Sequence, residues 1–395
     1  MRGKFRLSLA AIVFMAVGAL LPTPAAASPA SGPTLVAAGF DSPRGVAFFK
    51  DKLVVGEAGH GGKNCIPASA ENPLTCFGRT SKISWVNTTT KAHTPLVDHL
   101  FSVAEFRGPG PGEALGVDGI SARDGRLMAI EGAFPQAFAG YTCRPGDAEC
   151  AADLAAAKNE AGALLSVKAD GSWRKVAGVG AFDFDWTADK APQEHDANPY
   201  GVLAANGGSY VVDSGSNTLN FVSNRGEITI LHHFPWKNPV PFFAGGFPSD
   251  EVPTCVVRAD DGLWVATLSG HLFWVDGTSA TLVPNALLKH VTGCTADRDG
   301  NVYFVNMWTT LGFPTPFTGN IVKLSSDEGK SSVIANHLNF PNMDVVGPDG
   351  NLYFSADSVC PAAGIPHFCP QGGTVWKLAL AHDSDEGNDQ SNRAD

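Results

Sequence analysis

A short strand pattern returns six times along this chain, and this repeat constrains the fold more than any other feature of the sequence. The copies open at residues 43–47, 115–119, 199–203, 253–257, 292–296 and 341–345. Each opening is followed by a tight turn, such as Asp299-Gly300 or Asp349-Gly350, and then by an apolar strand. A repeat in which every copy supplies one small antiparallel sheet predicts a β-propeller.

Four strands can be assigned to five of the copies, and we letter them a to d along the chain. The sixth copy has only strands a to c, but residues 34–40 near the start of the chain match the pattern of the other d strands. We therefore predict an all-β fold, a six-bladed β-propeller over residues 28–381 whose N-terminal strand completes the last blade. Such closure removes the open sheet edge that an unfinished blade would expose. Residues 382–395 are predicted to form a disordered acidic tail.

The first residues have the features of an export signal. Three basic residues precede the apolar run 7–21, and Ala25-Ala26-Ala27 provides the small side chains that a signal peptidase needs. We predict a signal peptide over residues 1–27, cleaved after Ala27, and a secreted, extracellular product; an uncleaved anchor is the alternative. The apolar run is too short for a comfortable membrane span and no later stretch approaches about 18 apolar residues. Stable membrane insertion is therefore not expected.

Charge and composition narrow the range of partners. The formal net charge is −11, and the lysines and arginines are scattered singly along the chain. This pattern lacks the basic stripe that follows a nucleic-acid backbone, so nucleic acid is not an expected partner. Because a closed ring leaves no free sheet edge, we expect a monomer.

Cysteine usage agrees with export. The eight cysteines include three pairs of near neighbours, Cys65 with Cys76, Cys143 with Cys150 and Cys360 with Cys369. The chain has no Cys-x-x-Cys, so disulfides are favoured over zinc ligation. Cys255 and Cys294 occupy the same position of neighbouring repeats. They are predicted either to form a bridge between adjacent blades or to be buried free thiols.

The lengths of the connections predict which face of the propeller is functional. The a-to-b and c-to-d turns have a few residues each. The long connections are the b-to-c segments 57–81, 131–162, 307–318 and 355–373, and the d-to-a segments 180–198 and 234–252. The three local cysteine pairs fall in this set, which we predict to be loops on one face. Long loops held by disulfides are more typical of binding sites than of disorder.

Ionisable residues and a tyrosine converge on this predicted face. The catalytic candidates are His195, Glu113, Glu131 and Glu251. The candidate ligand-binding residues are Glu57, Asp118, Asp196, Tyr200, Asp213, His290 and Asp344. A ring of carboxylates around the axis could hold a divalent cation such as calcium, and a histidine beside a carboxylate could act as base and acid. The structural alternative is that acids at strand ends hold the amides of loops.

Several segments resemble a known family. The segments 42–47 and 54–59, the openings Asn198-Pro199-Tyr200-Gly201 and Val252-Pro253-Thr254, and the insertion between Cys65 and Cys76 resemble the secreted bacterial propellers of the scytonemin-biosynthesis D/E (ScyD/ScyE) family. The chain also resembles, more distantly, the six-bladed NHL and gluconolactonase-like propellers. The resemblance implies the fold and supplies no catalytic residues. The sequence Val291-Thr292-Gly293 departs from the Asn and Ile-Asp expected in the fifth blade.

Two functional hypotheses follow. The first is a secreted propeller that binds a small molecule, a glycan or an extracellular protein on its long-loop face without turnover. The second is an enzyme, a metal-assisted or acid/base hydrolase, lyase or lactonase acting on a lactone, sugar or phenolic metabolite. The chain has no Gly-x-Ser-x-Gly elbow, phosphate loop or zinc-protease helix, which favours the first hypothesis.

Overall fold

Within the described residues, six antiparallel sheets follow one another along the chain, one for each sequence repeat. The computed structural model describes residues 32–68, 73–106, 112–235, 250–259, 262–311 and 314–380. The predicted signal peptide and the predicted acidic tail lie outside the described residues. The six sheets are the blades of a six-bladed propeller, which confirms the predicted fold.

The first three blades are formed by consecutive strands of the chain, in the order a to d. Blade 1 contains Pro43–Phe49, Lys52–Glu57, Leu74–Val86 and His93–Phe106, with the short additional strands Asn64–Ile66 and Glu113–Leu115. Blade 2 contains Val117–Arg123, Arg126–Glu131, Ala163–Val167 and Trp173–Gly178. Blade 3 contains Pro199–Ala205, Gly208–Asp213, Thr218–Ser223 and Ile228–His233.

The remaining three blades follow the same plan. Blade 4 contains Pro253–Ala259, Gly262–Thr267, Leu272–Asp276 and Ser279–Val283. Blade 5 contains Val291–Ala296, Val302–Asn306, Gly319–Leu324 and Ser331–Leu338. Blade 6 contains Asp344–Val346, Leu352–Ala356, Gly373–Leu378 and, as its strand d, Thr34–Phe40.

The N-terminal strand closes the ring. Thr34–Phe40 pairs in antiparallel register with Gly373–Leu378, so that Leu35 faces Trp376 and Ala38 faces Thr374. The predicted completion of the last blade by the start of the chain is therefore confirmed.

Strand a is the innermost strand of each blade, because it contacts strand a of both neighbouring blades around the ring. A glycine on this strand permits the close approach of the next blade. A methyl group on Gly119 would lie 2.5 Å from the carbonyl oxygen of Tyr200, and one on Gly201 would lie 2.5 Å from that of Thr254. Real side chains do not tolerate such distances, which explains why glycine recurs here in the sequence repeat.

Apolar side chains fill the spaces between neighbouring blades. Between blades 1 and 2, for example, Ile83 and Leu100 pack with Val117, Leu127 and Leu165 in one buried cluster. Equivalent clusters lie between the other neighbouring blades. This arrangement explains why the inner strands have nearly continuous apolar runs, such as Leu53–Val55 and Val302–Val305, because each sheet is covered on both faces.

Two of the long connections contain helices, where the sequence analysis predicts loops. Helix α1, Ala148–Glu160, lies in the b-to-c connection of blade 2, and helix α2, Val179–Lys190, follows strand d of that blade. Helix α1 is rich in alanine, and the side chain of Asp147 caps it by accepting a hydrogen bond from the backbone N–H of Cys150 at 3.0 Å. Neither helix is long and apolar enough to cross a membrane, and the same holds for every described helix.

Blade 1 also departs from the predicted pattern. Its strand c begins at Leu74 instead of the predicted Lys82, and its strand d continues to Phe106, so this hairpin extends beyond the blade. Cys65 and Cys76 face each other across the added strand pairing of this extension.

All eight cysteines form disulfides. The bridges are Cys65–Cys76, Cys143–Cys150, Cys255–Cys294 and Cys360–Cys369. The bridge between Cys255 and Cys294 joins strand a of blade 4 to strand a of blade 5, which decides between the two predicted alternatives. Four disulfides are typical of a protein from an oxidising, extracellular or periplasmic compartment.

Candidate functional site

The long connections lie together at one end of the blades. The start of strand a pairs with the end of strand b, as Pro43 does with Glu57, and the start of strand c pairs with the end of strand d, as Ala163 does with Gly178. The b-to-c and d-to-a connections of a blade therefore emerge at the same end. We call this end the long-loop face; it carries the three local disulfides.

A layer of polar side chains crosses the axis of the propeller. It is formed by the equivalent residue of each strand-a opening, and its members are Arg44, Asp118, Tyr200, Thr254, Thr292 and Asn342, all buried. Arg44 Nη1 donates to the Tyr200 hydroxyl at 3.4 Å, and that hydroxyl donates to Asn342 Oδ1 at 2.9 Å. The guanidinium, phenol and amide thus link blades 1, 3 and 6 across the axis. The predicted ligand residue Tyr200 belongs to this layer.

Two predicted ligand residues near the axis, Asp118 and Asp344, have carboxylates without hydrogen-bond partners among the described residues. Burial raises the pKa of Asp118 to about 7, although the nearby Arg44 guanidinium acts in the opposite direction. Arg44 Nε lies 3.8 Å from Asp118 Oδ1, beyond hydrogen-bonding distance. Burial also raises the pKa of Asp344 well above its ordinary value.

Most acidic residues at the ends of b strands hold loop amides, as the structural alternative predicts. Glu57 Oε2 accepts a hydrogen bond from the backbone N–H of Asp41 at 2.7 Å. Asp213 Oδ1 accepts one from the backbone N–H of Asn198, also at 2.7 Å. Glu131, the equivalent residue of blade 2, differs because both of its buried oxygens lack a partner in the described part of the chain. Burial raises its pKa well above the ordinary value, and the charges of neighbouring carboxylates act in the same direction.

Three further candidates occupy separate places on the long-loop face. His195 is exposed, and its ring lies 4.0 Å from that of Phe184. His290 is buried, stacks on Trp308 at 4.1 Å and has Nδ1 3.0 Å from the Trp308 carbonyl oxygen. Glu251 is buried with Oε2 2.7 Å from Nδ1 of His271.

Ser269 lies beside Glu251 and His271, but the three residues do not form a catalytic triad. The Ser269 hydroxyl is 3.4 Å from Nδ1 of His271, the same nitrogen that Glu251 contacts. In a triad, the acid and the nucleophile contact different nitrogens of the imidazole.

A cavity of about 530 Å³ opens where blades 6 and 1 meet, and we call it the seam cavity. Its lining is mostly apolar and consists of Asp41, Ser42, His60, Ala104, Phe106, Gly112, Val359, Pro361, Ala362 and Ala363. The backbone N–H of Ser42 donates to the carbonyl oxygen of Cys360 at 2.8 Å, so the Cys360–Cys369 loop is held against the ring-closing segment. This volume lies in the range of small-molecule sites.

An acid–histidine pair stands at the wall of the seam cavity. Nδ1 of His60 lies 2.5 Å from Oδ2 of Asp41, whose side chain is 8% exposed, whereas that of His60 is 61% exposed. The hydrogen bond to Asp41 raises the pKa of His60. Neither residue was among the candidates predicted from the sequence. The available signal was the position of Asp41 directly before the first strand a and of His60 directly after the segment 54–59.

A second cavity of about 240 Å³ lies above blade 2, and we call it the blade-2 cavity. Its lining consists of Thr75, Val103, Glu105, Glu113, Leu115, Ala133, Phe134, Ala137, Phe138, Asp196, Ala197 and Asn198. The structure therefore brings together Glu113 and Asp196, which the sequence singles out separately. Loss of solvent around the Asp196 carboxyl raises its pKa to about 6, and the charges of Asp213, Asp250 and Glu105 contribute in the same direction.

A divalent cation requires several oxygen ligands that converge on one point. Among the described residues, no group of three or more histidine, cysteine, aspartate or glutamate side chains is arranged to hold a metal ion.

Comparisons with known proteins show similarity to solved propeller structures and not to any family model or curated sequence. No family model matches the chain, and no curated protein matches it either. Among solved structures, a protein of unknown function from Bacteroides thetaiotaomicron is 9% identical, with a TM-score of 0.52 over 88% of this chain and 75% of that one. A gluconolactonase from Xanthomonas campestris is 12% identical, with a TM-score of 0.51 over 91% of this chain and 94% of that one.

A third similar structure is regucalcin, a calcium-binding protein from Agrobacterium tumefaciens. It is 10% identical, with a TM-score of 0.49 over 89% of this chain and 94% of that one. The likeness to the first two structures, at 9% and 12% identity, shows a shared six-bladed propeller and leaves chemistry to the site itself.

Proposed function

We propose that this chain is an exported propeller that binds a small molecule in the seam cavity without turning it over. The observation that carries the proposal is a cavity of about 530 Å³ on the long-loop face, with mostly apolar walls and one convergent polar pair, Asp41 and His60. Ligand sites commonly combine apolar walls that supply affinity with a few polar groups that fix orientation.

The walls and the polar pair indicate the kind of ligand. Phe106, Val359 and Pro361 offer apolar surface to a flat or compact hydrocarbon body. The second nitrogen of His60, Nε2, can hydrogen-bond a hydroxyl or carbonyl group of the ligand, because Nδ1 is engaged by Asp41. A small molecule with one such group fits this cavity better than an extended glycan or a protein surface.

Export and family membership belong to the same proposal. The four disulfides, the apolar N-terminal run and the small residues at Ala27 support secretion with cleavage after Ala27. The segments around Arg44, Gly56 and Tyr200 support a place among ScyD/ScyE-type propellers. We propose a monomer that acts outside the cytoplasm, with neither nucleic acid nor membrane as its partner.

A ligand screen with matched variants tests the binding proposal. We expect small phenols and aromatic lactones to raise the melting temperature of the purified protein, because a ligand that binds only the folded state stabilises it by mass action. His60→Ala and Ala363→Trp should reduce this rise, since the first removes the polar contact and the second fills the cavity. Ala92→Trp, on an exposed c-to-d turn, is the control and should leave the rise unchanged. Equal rises in all four proteins would contradict the proposal.

The Asp41–His60 pair also favours a second candidate, an acid/base enzyme of the seam cavity. A buried carboxylate that orients a solvent-accessible imidazole is the arrangement found where histidine acts as a general base. In this candidate, His60 removes a proton from water as the oxygen attacks the carbonyl carbon of a lactone, and the same proton is returned to the leaving alkoxide. Asp41 holds the ring and stabilises its charged form.

Hydrolysis assays distinguish the two candidates. If the protein is an enzyme, aromatic lactones are opened at a rate that falls by about 100-fold or more in His60→Gln. Asp41→Asn should lower the rate at saturating substrate more than it changes KM. If the protein only binds, the lactones raise the melting temperature but remain intact over hours.

A further inference from the structure

Two buried carboxyl groups lie side by side where helix α2 packs against blade 3. Asp183 of the helix and Asp213, at the end of strand b, are both fully buried. Asp183 Oδ2 accepts hydrogen bonds from Asn220 Nδ2 at 2.7 Å and from Thr218 Oγ1 at 3.2 Å. Thr218 pairs directly with Asp213 across strands b and c, so these contacts bring the two carboxyl groups together.

A shared proton satisfies the remaining oxygens of this pair. Asp183 Oδ1 and Asp213 Oδ2 have no other hydrogen-bond partner among the described residues. Burial raises the pKa of Asp213, but its Oδ1 accepts three backbone N–H groups that favour the charged form. The donors are Asn198, Gly215 and Ser216, at 2.7, 2.9 and 3.0 Å. We therefore place the proton on Asp183, which donates it to Asp213 in a hydrogen bond between the carboxyl groups.

The buried face of helix α2 has few apolar side chains. Its buried residues are Val179, Gly180, Asp183 and Thr187, so a carboxyl group lies at the centre of the face that usually carries an apolar stripe. Thr187 Oγ1 donates to the carbonyl oxygen of Asp183 at 2.9 Å, and the half-buried Phe184 stacks on Phe134 with the ring centroids 4.6 Å apart. Docking of the helix therefore depends strongly on the polar contacts of Asp183.

No cation replaces the proton in the part of the chain that the structure describes. No lysine or arginine there acts on Asp183 or Asp213, and burial raises the pKa of Asp183 well above its ordinary value, with the charge of Asp213 acting in the same direction. Strand c of blade 2 and the turn Pro135–Phe138 also pack against the helix and contain no titratable residue. The titratable groups in the surroundings are Asp196, Asp250 and the Glu194–His233 pair beside blade 3, and Asp185, Asp189 and Lys190 on the exposed side of the helix.

We propose that the proton shared by Asp183 and Asp213 is a pH-sensitive latch, which holds helix α2 on blade 3 and releases it as the solution becomes alkaline. When the proton passes to solvent, the hydrogen bond is lost and two negative charges face each other in a buried site. The helix must then move so that water can reach Asp183.

The direction of the pH dependence follows from linkage. In the released helix Asp183 is a solvated carboxyl group with an ordinary pKa, whereas burial raises its pKa in the docked helix. The docked form therefore binds the proton more tightly, and docking weakens as pH rises between these two pKa values. The docking equilibrium constant should fall by about tenfold per pH unit in that range.

Release of the helix changes the long-loop face. Phe134 lines the blade-2 cavity and loses its stacking partner Phe184 when the helix leaves. His195 and Asp196 follow the helix in the chain, so the wall that Asp196 contributes to this cavity is also freed. The latch thus links pH to the shape of one cavity on this face.

Hydrogen exchange of the helix amides, followed by mass spectrometry from pH 6 to pH 9, tests the latch. We expect the protection factors of residues 183–190, corrected for intrinsic exchange, to fall by up to about tenfold per pH unit in the wild type. Asp183→Asn should remove this dependence, because its amide donates to Asp213 as the protonated acid does and does not titrate. Asp189→Asn, the same substitution on the exposed side of the helix, is the matched control and should behave as the wild type.

Tryptic cleavage after Lys190 gives an independent readout, because this exposed lysine ends the helix. Comparing variants at the same pH cancels the pH dependence of the protease. Relative to Asp183→Asn, the wild type should be cleaved at least about tenfold faster at pH 9 than the same comparison gives at pH 6. Asp213→Asn is the second variant if Asp183→Asn does not fold. Its amide can donate to a charged Asp183, so docking should again become independent of pH.

Three results would overturn the proposal. The first is wild-type protection in the helix that does not change from pH 6 to pH 9, and the second is the same pH dependence in the wild type and both asparagine variants. The third is protection equal to that of strand c of blade 3 at every pH, since the helix would then open only with the whole molecule. Failure here leaves the seam-cavity proposal untouched, because no residue of helix α2 lines that cavity.

Discussion

Buried carboxylates that lack hydrogen-bond partners among the described residues make the stability of this propeller depend on pH. Asp118 has an ordinary pKa of 3.8 that burial raises to about 7. A raised acid pKa means that the folded protein holds a proton that the unfolded chain releases, so stability falls as pH rises from about 4 to about 7. Below that window the carboxyl is neutral in both states and costs little.

Asp118→Asn tests this pH dependence. Because asparagine resembles the protonated acid and does not titrate, we expect the variant to gain stability relative to the wild type as pH rises through this window. Between pH 5 and pH 8 this relative gain should be up to about 3 kcal/mol, at roughly 1.4 kcal/mol per pH unit up to about pH 7. Urea unfolding at both pH values measures the difference. Asp189→Asn, whose side chain is 73% exposed, is the control and should show no such change. A variant without this relative gain between pH 5 and pH 8 would contradict the prediction.

Several residues of the candidate sites could be identified from the sequence, but the contacts between them could not be predicted. Glu113 and Asp196 were identified because they precede a strands, but they meet only where the added strand of blade 1 and the connection before blade 3 come together over blade 2. Asp41 and His60 were missed because neither ends a strand, and their contact depends on the junction of the first and last blades. Tyr200 was identified as a ligand residue, yet its hydroxyl is committed to Arg44 and Asn342.

Strand a of blades 1, 2, 3 and 5 has a glycine at the position that approaches the next blade, namely Gly45, Gly119, Gly201 and Gly293. Because a methyl group on Gly201 would lie 2.5 Å from the Thr254 carbonyl oxygen, Gly201→Ala must push blade 4 away from blade 3. We expect a loss of about 1–3 kcal/mol in the free energy of unfolding, as for other overpacked sites. Gly140→Ala, which has open space around the added methyl group, should change the free energy by less than about 0.5 kcal/mol. Equal effects in the two variants would show that the blades adjust freely.

The disulfides differ in how much chain they enclose. Cys255–Cys294 spans 39 residues and Cys143–Cys150 spans seven. Loop-closure entropy in the unfolded chain therefore predicts a contribution of about 4 kcal/mol for the first bridge and about 2 kcal/mol for the second. Replacing each pair with alanines and comparing urea midpoints measures this order. If removal of Cys143–Cys150 lowers the urea midpoint more than removal of Cys255–Cys294 does, this order is contradicted. The inter-blade bridge would then add little to the stability that the surrounding packing already provides.

The strands that recur in every repeat were predictable from the sequence, whereas the helices and the hairpin extension that occur in only one blade were not. Strands a to c were predictable because every repeat has an opening motif, a tight turn and a short apolar run at the same spacing. Helix α1 has no repeat counterpart, and its alanines give weak amphipathic contrast, so its helical propensity was the only available signal. The extended hairpin of blade 1 escaped prediction because Leu74–Ser81 pairs with its own d strand outside the blade pattern.

At the scale of the whole molecule, the seam cavity depends on ring closure. The seam cavity lies between the end of strand Thr34–Phe40 in blade 6 and the start of strand Pro43–Phe49 in blade 1. Asp41 lies in the short segment that connects these two strands, so its position depends on the pairing of the N-terminal strand with blade 6. The same strand buries Val36 and Phe40 against blade 6. Without it, strand c of blade 6 would become an exposed edge beside uncovered apolar side chains.

Moving the N-terminal strand tests closure directly. A chain that begins at Asp41 lacks the strand, and we expect it to lose at least about 3 kcal/mol in the free energy of unfolding, because Val36 and Phe40 no longer cover the last blade. Since Thr34 faces Lys377 across the sheet, a short linker after Leu380 can present residues 33–40 in the same register. This relocated strand should restore the urea midpoint and ligand binding in the seam cavity. The same relocated strand with Val36→Asp and Phe40→Asp should restore neither, because its backbone could still pair but its apolar face would be lost. If the truncated chain has the same free energy of unfolding as the full chain, the N-terminal strand is not needed to stabilise the ring.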